Sequence, residues 1–506
     1  MNNLRLILSF VVVAAFAYCL TPVVAEEATP PQFCISQLDR DPVIDGNLDD
    51  PAWAGATELT GMVGNVVYPT LLPESLQTRW WIGFRANMLY FAMRSPIPPG
   101  TNLMAKIRTN DNQEMYQDDT AEIQILTHQR DEATKPGKGF YKLMINPRGA
   151  LWDRHFYNGT PDSEDIWSMG GKVASEIKDG CWNLEVSIDS RSMNLAGLAD
   201  KNLVIQLVRN GDSAGGVYYN GLVGANYASW KKFASVRTDA AAPAFRLNQL
   251  GEIMAGNLDA KIKVRPSTTS TGEVVSKIIV TDPEGKVLYE DVKRDPLAAG
   301  KSVSQSFSKS GLPVGDVPMD SKERNHLSLE TKWIDGGKET VLFQNTLPFM
   351  KLTPEWVDRY VTAALAGRPK VDWDLGVAYL PYSGVVLINV DADVLGLPEK
   401  FSKARAIRVE LRSSKNGKVL AKSDSPLVGG AASWTMKSGF LADGNYEVTA
   451  HLLGQKDEIA TKKILFERKT WPFEKNKLGT SGEVIPPFFP IAIDAQKPTL
   501  GSGRSA

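Results

Sequence analysis

The residues whose types could do chemistry lie in two segments between positions 116 and 154. Residues 116–122 read YQDDTAE, which places an aromatic ring and three acids where a strand begins. Residues 141–154 read YKLMINPRGALWDR. Sugar recognition uses flat aromatic faces that stack on pyranose C–H groups and planar polar side chains that fix the hydroxyls. Four residues are candidate carbohydrate contacts on these grounds: Tyr116, Glu122 and Lys142 in these two segments, and Trp230 further along the chain.

The same residues also have a structural interpretation. Tryptophan and tyrosine in a β-sandwich are often core residues, and acids at strand ends are usually solvated. The sequence contains no H-E-x-x-H zinc motif and no glycine-rich phosphate-binding loop. The four histidines are scattered without ligand spacing: His128, His155, His326 and His451. We therefore expect no metal site, no cofactor and no catalytic residue.

The net charge of the chain restricts the kinds of binding partner, and its N-terminal segment indicates the cellular compartment. A formal net charge of −1 gives no electrostatic case for nucleic acid or an anionic membrane. Residues 1–25 have a positive Arg5, an apolar run and a small-residue cleavage site at 23–25, as signal peptides do. The apolar run is short for a membrane span, which needs about 20 residues. We expect export to the periplasm, cell surface or medium, with no membrane span after cleavage.

Cleavage would leave two cysteines, Cys34 and Cys181. In an oxidising compartment they could form one disulfide, worth at most about 4–5 kcal/mol for so long a loop. Two buried thiols are the alternative, and the sequence leaves both open.

Period-2 alternation of apolar residues predicts an all-β fold. Between Cys34 and Asp239, residues 120–125 and 182–188 alternate by face, and residues 80–93 form a hairpin that turns near Ala86. Long helical periodicity is absent there. The pattern predicts a β-sandwich over residues 26–240.

Two smaller blocks, 241–352 and 372–469, also read as β-sandwiches of the immunoglobulin or fibronectin kind. Turns at 282–286 and at Asn416-Gly417 each predict a hairpin. A helical spacer is predicted over 353–371, with Thr353 as N-cap. Residues 470–506 are proline-rich without periodicity and are predicted to be a linker and a disordered tail.

Four motifs resemble family 9 carbohydrate-binding modules. Residues 41–53, DPVIDGNLDDPAW, resemble the family's opening element PxIDGxLDxxW. Three further runs follow in the family's order: DDTAEIQI, YKLMINPRGALWD and GCWNLEVSI. The resemblance implies that residues 26–240 form a sandwich of this family and bind an oligosaccharide or polysaccharide.

The resemblance also assigns roles. Tyr116 stands where the family has a sugar-stacking tryptophan, Glu122 matches a hydroxyl-binding glutamate, and Lys142 stands near a hydroxyl-binding arginine. Trp230 matches a framework tryptophan. The family loop that carries a second stacking tryptophan is almost deleted between Trp230 and Phe233. We therefore expect weak binding, with dissociation constants near the millimolar range.

The end of the chain resembles the linker that precedes a catalytic barrel in exported bacterial glycosidase-like proteins, WxxNxLGxxxxVxPPFxPI. Three hypotheses follow. The chain is a carbohydrate-binding accessory protein in polysaccharide catabolism, with a separate glycoside hydrolase as partner. Alternatively, it is a structural or surface-assembly protein without a ligand, or part of an O-glycosyl hydrolase whose barrel is missing from this chain. Under each of them we expect no catalysis by this chain alone.

Overall fold

The computed structural model divides the chain into two compact units, unit 1 (residues 1–370) and unit 2 (residues 371–506). Nearly all regular structure in the described residues is β-strand, so the predicted all-β fold class is confirmed. The structure describes residues 29–64, 68–97, 103–160, 164–211, 218–224, 229–267, 270–318, 320–354, 372–395, 397–471 and 474.

The described part of unit 1 has 22 strands and seven short 3-10 turns. The strands are β1 Gln32–Ser36, β2 Thr57–Leu59, β3 Val63–Gly64, β4 Thr70–Leu71, β5 Arg79–Arg85, β6 Met88–Pro96, β7 Thr120–Leu126, β8 Phe140–Ile145, β9 Leu151–Phe156, β10 Glu164–Ile166, β11 Lys172–Lys178, β12 Cys181–Asp189, β13 Asn202–Gly211, β14 Tyr218–Gly221, β15 Ala234–Asp239, β16 Ala244–Gln249, β17 Leu258–Arg265, β18 Gly272–Thr281, β19 Val287–Leu297, β20 Val303–Lys309, β21 Asn325–Asp335 and β22 Lys338–Phe349. The 3-10 turns are Pro51–Gly55, Glu74–Leu76, Gln113–Gln117, Arg130–Glu132, Ser190–Met193, Trp230–Lys232 and Ile253–Ala255.

Two large sheets organise unit 1. The first sheet has the order β10-β9-β8-β7-β13-β15-β1-β22-β21-β18-β19, with β14, β3 and β4 branching from β13. The second sheet has the order β11-β12-β6-β5-β2-β16-β17-β20. The guanidinium of Arg209 on β13 lies 5.0 Å from the Trp182 ring on β12, so the two sheets face each other there. We call the opposite side of each sheet its outer face.

Local patterns placed several strands correctly. The predicted hairpin at 80–93 is β5 and β6, and its turn residue Ala86 has φ +49°. The alternating segments at 120–125 and 182–188 are β7 and β12. The turn at 282–286 joins β18 to β19. Period-2 alternation succeeded because each of these strands has at least one buried face.

Both sheets continue across residue 240, where the first predicted boundary lies. β1 pairs with β22 through Gln32 and Gln344, and β2 pairs with β16 through Glu58 and Arg246. The Glu58 carboxylate, 2% exposed as a residue, accepts a 2.7 Å hydrogen bond from Arg246 Nε. Whether residues 26–240 fold alone stays a prediction. Cutting there would expose strand edges that are paired in the whole chain.

Unit 2 is a smaller two-sheet sandwich. Its sheets have the orders β23-β24-β27 and β26-β25-β28-β29. Ile388, Val409 and Val448 are fully buried in its core. The Asn416-Gly417 turn joins β25 to β26, as predicted. The strands are β23 Asp374–Leu380, β24 Val385–Asp391, β25 Ala406–Ser413, β26 Val419–Pro426, β27 Ala431–Lys437, β28 Gly444–Leu453 and β29 Glu458–Arg468, and a 3-10 turn spans Glu399–Lys403.

Of the two alternatives that the sequence left open for the cysteines, the structure has the free thiols and not the disulfide. Cys34 and Cys181 are free thiols, Cys34 buried in β1 of the first sheet and Cys181 partly exposed at the start of β12 in the second. Burial raises the pKa of the Cys34 thiol to about 12, as desolvation disfavours the thiolate.

Three other predictions concern residues outside those the structure describes. They are the signal peptide at 1–25, the helical spacer beyond Pro354 and nearly all of the proline-rich segment at 470–506. No helix in the described part of the chain is long and apolar enough to cross a membrane.

Candidate functional site

A row of polar side chains crosses the outer face of the first sheet. The strand register places Gln206 of β13 opposite Gln124 of β7, Gln124 opposite Lys142 of β8, and Lys142 opposite Arg154 of β9. Cross-strand partners share a face, so the four side chains form one line, which we call the polar row. Glu122 lies two residues from Gln124 on β7 and therefore on the same face.

Glu122 is the acceptor at the centre of this face. Its Oε2 lies 2.9 Å from Lys142 Nζ and accepts a 3.3 Å hydrogen bond from Gln124 Nε2. Its Oε1 accepts a 2.8 Å hydrogen bond from Asn210 Nδ2. The side chains of Lys142 and Glu122 are only 10% and 7% exposed. The structure therefore brings two predicted contact residues together as a largely buried ion pair.

Apolar and aromatic side chains lie on both sides of the polar row. Phe140 and Phe156 stack with centroids 4.8 Å apart, and the Arg154 guanidinium lies 5.2 Å from the Trp152 ring. Trp230 packs partly buried at the edge of this cluster, 6.2 Å from Phe140. Trp230 therefore takes part in packing, and its contact with carbohydrate stays a prediction.

Three buried polar atoms close to the polar row lack hydrogen-bond partners among the described residues. They are Thr120 Oγ1, Gln124 Oε1 and Trp152 Nε1. Buried polar atoms are nearly always hydrogen-bonded, because an unmade bond costs about 1–3 kcal/mol. A hydroxyl that can donate or accept, an amide oxygen that accepts and an indole N–H that donates indicate a place where water or a polyhydroxylated ligand completes the hydrogen bonding.

Tyr116 lies at the rim of this face. It belongs to the 3-10 turn Gln113–Gln117, whose Met115 is fully buried in the apolar cluster while Tyr116 is 47% exposed. An exposed ring beside a polar face is suited to stacking on a sugar. The role of Tyr116 in stacking on a sugar stays a prediction.

Asp118 and Asp119 act structurally, although their sequence context marked them for possible chemistry. Asp118 accepts hydrogen bonds from the backbone N–H groups of Lys106 and Ile107 at 2.8 and 2.9 Å. Asp119 lies 3.2 Å from Arg209 between the sheets, and both are almost fully buried. Burial raises the pKa of Asp118 and outweighs the hydrogen bonds that lower it.

The opening motif at 41–53 has a structural role on the other sheet. Glu185 of β12, 0% exposed, accepts hydrogen bonds from the backbone N–H groups of Asp45 and Gly46 at 2.9 and 2.8 Å. Its other oxygen accepts one from Trp53 Nε1 at 2.7 Å. Gly46 has φ +91°, and a Cβ there would lie 3.2 Å from Glu176 Cβ. Sequence reasoning missed Glu185, because its partners lie about 140 residues away.

We expect Glu185→Gln to lower the free energy of unfolding by about 1–3 kcal/mol, since an amide offers one acceptor where three donors converge. Chemical denaturation of the whole chain measures this. Glu284→Gln, at an exposed turn, is the matched control and should change nothing. Equal stability of Glu185→Gln and wild type would contradict the anchoring role.

The pH dependence of this variant has a definite sign. Burial raises the pKa of Glu185. Its contribution to stability is therefore full below the ordinary carboxyl pKa and declines as pH rises through the raised value. The destabilisation by Glu185→Gln should accordingly shrink as pH rises from the ordinary carboxyl pKa through the raised pKa of Glu185.

The sequence also contains a serine flanked by two glycines at residues 211–215. Residues 211–215, GDSAG, match the G-x-S-x-G spacing of serine hydrolases. That motif needs a strand-to-helix turn, whereas Gly211 ends β13 and the next strand, β14, pairs antiparallel with β13. Residues 212–217 lie outside the described residues.

No group of three His, Cys, Asp or Glu side chains suited to a metal ion occurs in the described part of the chain.

Comparison with known proteins gives structural likenesses only. No protein-family model matches the chain, and no curated protein matches it. A solved carbohydrate-binding protein of Bacteroides uniformis, itself described as putative, is 11% identical, with TM-score 0.33, over 41% of this chain and 99% of its own. A family 9 carbohydrate-binding module of Caldicellulosiruptor kristjanssonii in complex with glucose is 13% identical, with TM-score 0.30, over 41% and 96%. Such low identities and TM-scores carry no argument about the ligand.

Proposed function

We propose that the protein binds carbohydrate on the outer face of the first sheet, through Glu122, the polar row and the exposed ring of Tyr116. The observation that carries the proposal is the group of buried unsatisfied atoms, Gln124 Oε1 and Trp152 Nε1 among them, beside an ion pair on an aromatic face. Sugar hydroxyls both donate and accept, so they match this mixture of groups.

We further propose an accessory role, outside the cytoplasm, in the breakdown of polysaccharide by a separate glycoside hydrolase. The support is the signal-like segment at 1–25 and the four ordered motifs that resemble family 9 modules. This role, the export and the family assignment rest on the sequence.

One observation favours a second candidate, a structural or surface-assembly protein. Both oxygens of Glu122 already have protein partners, and Glu122 and Lys142 are almost buried. A polar cluster satisfied in this way can act purely in packing. The two candidates differ in one measurable property, saturable binding of a saccharide.

Calorimetric titration of the mature chain with neutral oligosaccharides tests the proposal. We expect Kd values near millimolar, and we expect Tyr116→Ala to remove about 1–2 kcal/mol of binding free energy by deleting the stacking ring. Tyr382→Ala is the control, since Tyr382 is 68% exposed in unit 2. Equal binding by wild type and Tyr116→Ala would remove Tyr116 from the site. Absence of binding to any saccharide would favour the structural candidate.

A further inference from the structure

A second, cationic cleft lies on the outer face of the first sheet. It has a volume of about 740 Å³ and is formed by the segment after β7, the starts of β13 and β22, and parts of β1 and β15. Val204 on β13 lines it and pairs with Ser235 on β15. Val204 lies two residues before Gln206 of the polar row on the same face of β13, so the cleft begins about 7 Å further along the strand.

The cleft carries cations that have no carboxylate partner among the described residues. Arg130, Lys138 and Lys201 all line it, and none is within ion-pair distance of a described acid. The acids that line the cleft, in contrast, each have a cation nearby: Glu132 to Lys135 at 3.3 Å, Asp200 to Arg237 at 3.3 Å and Glu339 to Lys332 at 3.4 Å. Arg237 is shared with Asp239 at 3.5 Å, and Lys332 with Glu330 at 3.4 Å. Among the lining residues, four cations (Arg130, Lys138, Lys201 and Arg237) stand against these three acids, so the formal charge of the cleft is positive.

Arg130 is held in place by neutral groups. Its Nη2 donates to Phe233 O at 2.6 Å and to Ser235 Oγ at 2.9 Å, while its buried Nε has no partner among the described residues. Desolvation lowers the pKa of Arg130, with no opposing contribution from a nearby acid. A bound oxyanion would stabilise a partly buried guanidinium that has fixed geometry and no counter-ion, because the oxyanion accepts charge-assisted hydrogen bonds from it.

We propose that this cleft binds the acidic group of an anionic oligosaccharide, with Arg130 as the oriented donor and Lys138 and Lys201 as flanking charges. The shared chemistry is an oxyanion, carboxylate or sulfate, on a sugar. The saccharide part of this assignment rests on the proposed function. The recognition of charge rests on the cleft itself.

Titration of the whole chain with trigalacturonate, an O-sulfated disaccharide, a neutral trihexose and inorganic sulfate tests the proposal. Trigalacturonate or the sulfated disaccharide should bind more tightly than the neutral sugar. Tighter binding of trigalacturonate identifies the oxyanion as a carboxylate, and tighter binding of the disaccharide identifies it as a sulfate. Lys138→Gln and Lys201→Gln should each weaken that binding about two- to fivefold, as exposed ion pairs do. Binding should also weaken between about 20 and 150 mM NaCl, because salt screens these charges.

Lys178→Gln, an exposed lysine of β11 in the other sheet, is the matched control and should have no effect. Both cleft variants replace lysines without a described ion pair and should melt as wild type does, so a loss of binding cannot be attributed to unfolding. Equal affinity for acidic and neutral sugars, or no effect of either cleft variant, would overturn the proposal. Inorganic sulfate binding as tightly as the acidic sugars would overturn its saccharide part.

The two proposals fail separately. Suppose that a polar-row variant loses neutral-sugar binding and keeps the salt-dependent binding of the acidic sugar. That result supports the cleft as an independent site. Suppose instead that neutral sugars bind and that Lys138→Gln and Lys201→Gln leave the affinity for acidic sugars unchanged. This result would rule out the cleft as a binding site and leave the polar row as the proposed site.

Discussion

Replacing Asp119 with alanine is expected to destabilise unit 1 by about 3–5 kcal/mol, the cost of leaving a buried charge without its partner. Asp119 and Arg209 are 0% and 1% exposed and lie 3.2 Å apart, and the guanidinium also lies over the Trp182 ring. The variant would leave Arg209 between the sheets without this carboxylate. Urea unfolding followed by tryptophan fluorescence measures the loss.

A double variant separates charge from packing. Asp119→Ala with Arg209→Met removes both charges and keeps apolar volume beside Trp182, so it should recover much of the lost stability. Asp119→Lys should be less stable than both Asp119→Ala and the double variant, because it places a second positive charge beside Arg209. A loss below about 1 kcal/mol for Asp119→Ala would show that the ion pair does not hold the sheets together.

Replacing Gln124 with leucine is expected to separate binding from stability. Gln124 is 1% exposed, and its Oε1 has no partner among the described residues. Leucine removes this unsatisfied acceptor and gives up only one 3.3 Å hydrogen bond, so the free energy of unfolding should change by less than about 1 kcal/mol. Saccharide binding should fall about tenfold or more, since a hydroxyl partner is lost.

Gln305→Leu is the matched control for that experiment. Gln305 of β20 is also buried, at 2% exposure, and its Oε1 also lacks a partner among the described residues, but it belongs to the second sheet. It should leave saccharide binding unchanged. Intact binding in Gln124→Leu would show that the polar row is a packing feature.

Local sequence patterns predicted the strands and turns well. Alternation predicted β7 and β12 because each buries the residues of one face between the sheets, and Asn416-Gly417 predicted its hairpin because its dihedrals suit a tight turn. The continuation of both sheets past residue 240 could not be predicted. It depends on β1 meeting β22 across about 300 residues, and no local pattern encodes such pairing.

The candidate site was only partly predictable. Glu122 and Lys142 were named from their types and from the resemblance, and the structure makes them a pair. Gln124, Gln206 and Arg154 were missed, because the line they form appears only once the register of four strands is known. Asp118 attracted attention as an acid, yet its partners are backbone N–H groups of a distant segment, which have no sequence signature.

The central claim is that the outer face of the first sheet receives a sugar. A crystal structure of the chain grown or soaked with a neutral oligosaccharide tests it most directly. We expect a pyranose ring near Tyr116 whose hydroxyls lie within hydrogen-bond distance of Gln124 Oε1 and Trp152 Nε1. A saccharide bound elsewhere, or ordered waters on those two atoms at saturating saccharide, would contradict it.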